Sequence, residues 1–280
     1  MARDMSSDTA SNTVSHLTQP DAAQTRRRSG SAAGKRRWRI GFFTVMPAVI
    51  LLLVVAGFTR TLFARPVFHP APIPPYLYVH GIVLTCWFVW ACVQSLLVSA
   101  GRIANHRRWG AVGACFAVAV FAAALMASFG SVSRKPFDLD ASASVMGSGL
   151  SGITVAQFRS SVVWGNIVNA VSFAVFVAGA VIYRRRTQIH KRLMLLASIS
   201  IVEPALARMA RWPGLGGEQG PFIPVVVWSL IAALVLYDLV TRKRVEACTA
   251  IAIVWLLIVR NGAVWVANTH LGLSLIYALR

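Results

Sequence analysis

Seven long apolar runs constrain this chain more than any other feature of its sequence. They cover residues 40–58, 77–99, 109–132, 162–183, 193–209, 222–240 and 247–268. Each approaches the roughly 20 residues that an α-helix needs to cross the hydrocarbon core of a bilayer. The fold class this predicts is all-α: a polytopic transmembrane bundle of about seven helices over residues 37–280. Only 13% of the residues are charged and 56% are hydrophobic, against about 25% charged in a typical soluble domain. A soluble fold with one hydrophobic core is excluded, because here lipid covers the apolar surface.

Residues 1–36 have the opposite character. They are rich in Ser, Thr, Ala and Arg and show no apolar periodicity, a composition that buries too little surface to offset chain entropy. The segment is expected to be a disordered basic cytoplasmic tail. It runs into Lys35, Arg36, Arg37 and Arg39 directly before the first apolar run. That run exceeds the 7–15 residues of a signal-peptide core, so an uncleaved first helix is predicted. Further on, Pro70, Pro72, Pro74 and Pro75 stiffen the first loop, and a Ser- and Gly-rich loop over 133–160 holds Asp138 and Asp140. Pro213 with Gly214, Gly216, Gly217 and Gly220 marks a turn between the fifth and sixth runs.

The formal charge is +19, which on its face suggests either nucleic acid or a membrane surface as partner. Its distribution decides. Threading the chain with its N-terminus inside puts the tail, Arg102, Arg107, Arg108, Arg184, Arg185, Arg186, Lys191, Arg192, Arg242, Lys243 and Arg244 on one side. Arg60, Arg65, Arg134, Lys135, Arg159, Arg211 and Arg280 fall on the other, and Arg208 and Arg260 lie within apolar runs. Each inner segment is more basic than the outer segments beside it, as the positive-inside rule requires. The orientation predicted is N-in and C-out in a bacterial inner (cytoplasmic) membrane. The expected partners are the bilayer, its anionic lipid headgroups and a further membrane protein, with no nucleic acid.

Ionisable groups in hydrocarbon need a partner or a role. His80, Trp87 and Gln94 recur every seven residues and so share one helix stripe. Glu203 precedes Pro204, an expected kink site, and Arg208 follows. Asn166 and Asn169 lie in the fourth run and Arg260 in the seventh. Glu203 and Arg260 each sit roughly 15–20 Å from the inner ends of their helices, taking the 1.5 Å rise per residue. An ion pair of Glu203 with Arg260 or Arg208 is therefore expected in the outer half of the bundle. Two readings fit: a polar cavity of a small-molecule carrier or sensor, or an interhelical network that fixes packing. Trp87, Trp90, Trp228, Trp255 and Trp265 read as lipid or packing contacts, and Cys86, Cys92, Cys115 and Cys248 as small buried hydrophobes.

His106, in His-Arg-Arg-Trp-Gly, and His190, in His-Lys-Arg-Leu-Met, both open helices running from inside to outside. They are predicted at similar depth near the cytoplasmic face. Two histidines facing across a bundle can ligate haem iron, so haem b is the candidate cofactor and His80, His106 and His190 the candidate ligands. A plain interfacial role beside lipid phosphates is the alternative. No HxxxH or HExxH metal motif, nucleophile elbow, Walker loop or dinucleotide fingerprint occurs, and no catalytic residue is nominated.

These motifs carry a resemblance. His80-Gly81, Trp87, Gln94, Gly101-Arg102, His106-Arg107-Arg108-Trp109-Gly110, His190-Lys191-Arg192-Leu193-Met194 and Tyr237-Asp238-Leu239 with Arg244-Val245 resemble a group of uncharacterised bacterial multi-pass membrane proteins, over roughly residues 40–260. Such proteins often carry Arg-Val-His-Pro after the sixth helix, where this chain has Arg244-Val245-Glu246-Ala247. A third inner histidine is thus replaced by a carboxylate. More distantly the layout is similar to cytochrome b-type carriers, a likeness that implies redox function only at the level of fold analogy.

Overall fold

The computed structural model describes residues 40–68, 73–132, 155–212 and 219–278. The predicted tail, His69, the loop holding Asp138 and Asp140, and the turn glycines Gly214, Gly216 and Gly217 lie outside them. Among the described residues every regular element is a helix. In chain order these are α1 (Phe42–Phe58), continued by a π-helical turn (Thr59–Phe63), α2 (Arg65–Phe68), α3 (Pro75–Ser99), α4 (Ile103–Val132) and α5 (Val155–Ile182). There follow α6 (Thr187–Ser200), α7 (Glu203–Met209), α8 (Gln219–Arg242), α9 (Ala247–Ala267) and α10 (His270–Ala278).

Among the described residues, six helical stretches are long and apolar enough to cross a membrane: Phe42–Phe63, Pro75–Ser99, Ile103–Val132, Arg159–Ile182, Phe222–Arg242 and Ala247–Ala267. They are compatible with an integral membrane protein. Their outward side chains fit that reading, since Leu52, Val118, Ile251 and Trp265 are each about two-thirds exposed or more. A belt of large apolar groups on the surface is unfavourable in water and ordinary in lipid.

The fifth apolar run departs from expectation, because it is two helices rather than one. Pro204 has no N–H to give residue 200, and its ring excludes that carbonyl. Ser198 and Ser200 also turn their hydroxyls back onto Met194 O (3.2 Å) and Ala197 O (2.8 Å), which competes with the backbone ladder. The helix breaks over Ile201 and Val202 and restarts with Glu203 and Pro204 in the first turn of α7, where a missing N–H costs nothing.

This interrupted segment is the centre of the packing. Leu193 and every residue from Leu195 to Val202 are buried. Trp87 of α3 is fully buried against it, donating to Ser198 Oγ (3.3 Å) and meeting Phe173 of α5 edge-on at 4.8 Å. α1 presses on α7 at Gly57, where an added Cβ would lie 2.3 Å from Ala205 O, so only glycine allows the two backbones this close. α3 and α4 are joined by a tight turn in which Gly101 takes φ 70°, its N–H bonding Val98 O and that of Arg102 bonding Leu97 O. Such a left-handed helix terminus is glycine's favoured place.

Not every sequence expectation of burial holds. Cys86 and Cys115 are exposed on the outer faces of α3 and α4, because the apolar runs are apolar all round and periodicity does not say which face meets lipid. Arg192, placed by its position with the loop cations, is fully buried.

Candidate functional site

Three polar clusters stand out among the described residues. The first joins the ends of α4 and α6. His106 and His190 each lie in the first turns of their helices, and the links 100–102 and 183–186 bring those turns to one end of the bundle. Their rings stand edge to face, 6.2 Å between centroids. His190 Nδ1 lies 2.9 Å from Ala180 O of α5. A carbonyl only accepts, so this bond puts a proton on Nδ1, and in the neutral ring Nε2 is then the nitrogen with the lone pair. His106 Nδ1 is buried without a hydrogen-bond partner, as are both amide atoms of Gln94 on the facing turn of α3. His106 and Gln94 are neighbours, since the His106 ring interacts with the Gln94 backbone. Orphaned buried polar atoms are costly and rare in native structures, so those of His106 and of its neighbour Gln94 leave hydrogen-bonding capacity open at this end of the bundle.

The second cluster sits where the fifth run breaks. Glu203 accepts a hydrogen bond from Asn169 Nδ2 of α5 at 2.8 Å and is ion-paired with Arg260 of α9. The pair is not sealed, with Glu203 18% and Arg260 31% exposed. Arg208 is placed differently: its Nη1 donates to Pro204 O at 2.6 Å and its guanidinium lies 4.6 Å over the Phe58 ring. Asn166 is half-buried one turn from Asn169.

His80 belongs with neither histidine. It lies 14 residues before Gln94 on α3, about 21 Å along the axis at 1.5 Å per residue. Its Nδ1 is 3.1 Å from Ala123 O, and it lies within electrostatic reach of Arg208. The sequence stripe of His80, Trp87 and Gln94 therefore spans the bundle, with a polar group toward each end and a buried indole between. His270, at the start of α10, is exposed.

No family model, curated protein or solved structure matches this chain.

The third cluster was missed by sequence reasoning. Arg192 of α6 and Asp238 of α8 form an ion pair with neither side chain exposed at all. Arg192 Nε bonds both carboxylate oxygens at 3.0 and 3.2 Å, and its Nη1 reaches Gln188 O (2.8 Å) and Gln188 Oε1 (3.0 Å). Asp238 Oδ2 also accepts from Thr249 Oγ1 at 3.1 Å and from the Glu246 backbone N–H at 3.3 Å. One signal was available. Asp238 is the lone acidic residue within the sixth apolar run, and a carboxylate there requires a cation.

Among the described residues no group of three or more His, Cys, Asp or Glu is arranged to hold a metal ion. Any metal at the His106–His190 pair would draw two ligands from this set, and the rest of its coordination from elsewhere.

Proposed function

We propose that this chain is a seven-crossing redox membrane protein carrying a haem b centre between His106 and His190. The observation that carries the reading is the histidine pair itself: two rings from different helices, 6.2 Å apart, one holding a lone pair on Nε2 and the other a buried ring nitrogen without a partner. With metal–imidazole bonds of about 2 Å, rings at this separation would be able to hold one metal ion between them. His106 and His190 would hold the haem, whose porphyrin would bring the remaining ligands of the iron. When bound, the haem supplies a one-electron iron couple. The chain's own residues then have separable parts. Ala180 O fixes the His190 tautomer, Trp87 and Phe173 exclude water from the bundle centre, and Gln94 offers an amide beside the pair for a quinone-like electron partner in the bilayer.

The interrupted α6–α7 segment supplies the seventh crossing in this reading. It begins beside the basic links 183–186 and 243–246 and ends beside Phe58 at the far end of α1. The basic end is then cytoplasmic, as the positive-inside rule asks, and the C-terminus is outside the inner membrane of a bacterium. The chain joins the multi-pass membrane proteins whose His-Arg-Arg-Trp-Gly and His-Lys-Arg-Leu-Met motifs it resembles, and anionic headgroups and a membrane redox protein are its partners.

The test is a reduced-minus-oxidised visible spectrum of detergent-purified protein expressed with ample haem. The expected result is a b-type α-band at about one haem per chain, lost in both His106→Ala and His190→Ala and kept in His80→Ala. A featureless spectrum from well-folded protein overturns the haem reading.

The half-open Glu203–Arg260 pair favours a second reading, a carrier or sensor whose polar cavity is made by Glu203, Arg260 and Asn169. Its signature is a melting point that rises with a small-molecule ligand and loses that response in Glu203→Gln.

A further inference from the structure

We propose that the π-helical turn closing α1 forms, with α7, a binding site for an oxyanion, a phosphate or carboxylate group, at the end of the bundle away from His106 and His190. The turn Thr59–Phe63 is closed by the Ala64 N–H on Thr59 O at 2.7 Å. Such five-residue closures widen a helix locally and occur frequently at functional positions. Two consecutive residues within it hold buried, unpartnered polar atoms, Arg60 Nε and Thr61 Oγ1. The contrast with Thr59 is direct: its hydroxyl turns back onto Val55 O at 2.6 Å, as helical threonines do, while that of Thr61 makes no such bond. Both orphaned groups can donate, so the partner that satisfies them together is an acceptor.

The surroundings define its charge. Arg60 is steadied by Phe68, with its guanidinium 5.0 Å over the ring. Arg65 reaches back to Thr61 O at 3.4 Å. Arg208 of α7 lies over Phe58, the residue at which the turn begins. The Gly57–Ala205 contact sets α1 against α7 one turn earlier, on the α1 face that Thr61 shares. Three guanidiniums therefore approach one turn, and the sequence from residue 40 to 132 contains no Asp or Glu. Glu203, on α7, is engaged by Asn169 and Arg260. Guanidinium groups bind phosphate and carboxylate oxygens through charge-assisted bonds, and a hydroxyl donor beside them completes an oxyanion cradle. A lipid headgroup and a free small anion share this chemistry.

The experiment follows thermal unfolding of the full chain in an uncharged maltoside detergent. Inorganic phosphate is titrated against equal ionic strength of chloride, and in a parallel arm the micelles are doped with phosphatidylglycerol. A saturable rise with phosphate identifies a free oxyanion, and a rise only with the anionic lipid identifies a headgroup; either supports the site. In Arg60→Gln the half-saturating concentration should increase about tenfold or more, the loss of one charge-assisted bond. The near-isosteric Thr61→Val, which keeps the charge and the packing, should weaken binding by a smaller factor, and Arg244→Gln at the other end should leave it unchanged. No stabilisation in either arm overturns the proposal, and so does stabilisation that both Arg60→Gln and Thr61→Val leave intact.

Discussion

Two arginine–carboxylate pairs that join distant parts of the chain share one chemistry and differ in construction. Arg192 and Asp238 are sealed, with three nitrogens of the guanidinium and both carboxylate oxygens engaged by named partners. Arg260 and Glu203 are half-open and rest on one further donor, Asn169. The difference teaches where each pair draws its strength. A sealed pair gains from a low-dielectric setting only because every hydrogen bond is made, and it is correspondingly intolerant of losing one member. A half-open pair is weaker in attraction and cheaper to break, which suits a place where a ligand or proton must enter.

The comparison is most easily broken at Asp238. Asp238→Ala should lower stability by about 3–5 kcal/mol, the cost of leaving a buried guanidinium unpaired, read as a large fall in melting temperature in detergent. Arg192→Met with Asp238→Leu should recover most of it, because a well-packed apolar pair replaces a sealed ionic one at little cost. If the double variant melts as low as the single one, the pair does more than close the bundle. Thr249→Val removes one hydrogen bond to the same carboxylate and should cost roughly 1.5–3 kcal/mol by the same melt.

Glu203→Gln should cost only about 1 kcal/mol, in the range of partly solvated pairs. An effect as large as that of Asp238→Ala would show that the half-open pair is sealed in the membrane. The smallest effect expected is from salt. Raising ionic strength from 0.05 to 0.5 M shortens the screening length to a few ångströms, roughly 4 Å by interpolation. The penalty of Glu203→Gln should then shrink, while that of Asp238→Ala stays constant. Orientation has its own check, independent of the pairs: an alkaline-phosphatase fusion at the C-terminus should be active and one in the 183–186 link inactive, and the reverse pattern would invert the topology.

The sequence was most legible where a one-dimensional pattern has a one-to-one structural consequence. Six long apolar runs became six long helices, and the seven-residue spacing of His80, Trp87 and Gln94 became a single stripe. The convergence of His106 and His190 was legible for the same reason, since both open helices that start from the same end. What escaped depended on partners far apart in the chain. Arg192 read as one more loop cation beside Lys191, and nothing local says that Asp238, 46 residues later, reaches it. Pro204 announced a kink, but a full break needed the serine hydroxyls of Ser198 and Ser200 to compete for carbonyls as well. The outward turn of Cys86 and Cys115 was invisible because a helix apolar on every side carries no mark of its buried face.

The break at Ile201 and Val202 has a consequence for how the chain reaches its membrane. Insertion machinery samples nascent segments one after another and admits each by its affinity for lipid. Six of the helices satisfy that test alone; the pair α6 and α7, short, interrupted and carrying His190, Lys191, Arg192, Glu203 and Arg208, does not. Yet its residues from Leu195 to Val202 are all buried in the bundle. In the seven-crossing reading it enters only by association with α5 before it and α8 after it, so biogenesis becomes a joint event of three segments. A substitution that weakens their mutual contacts would then show itself first as failed integration during synthesis rather than as a lowered melting point in the finished protein.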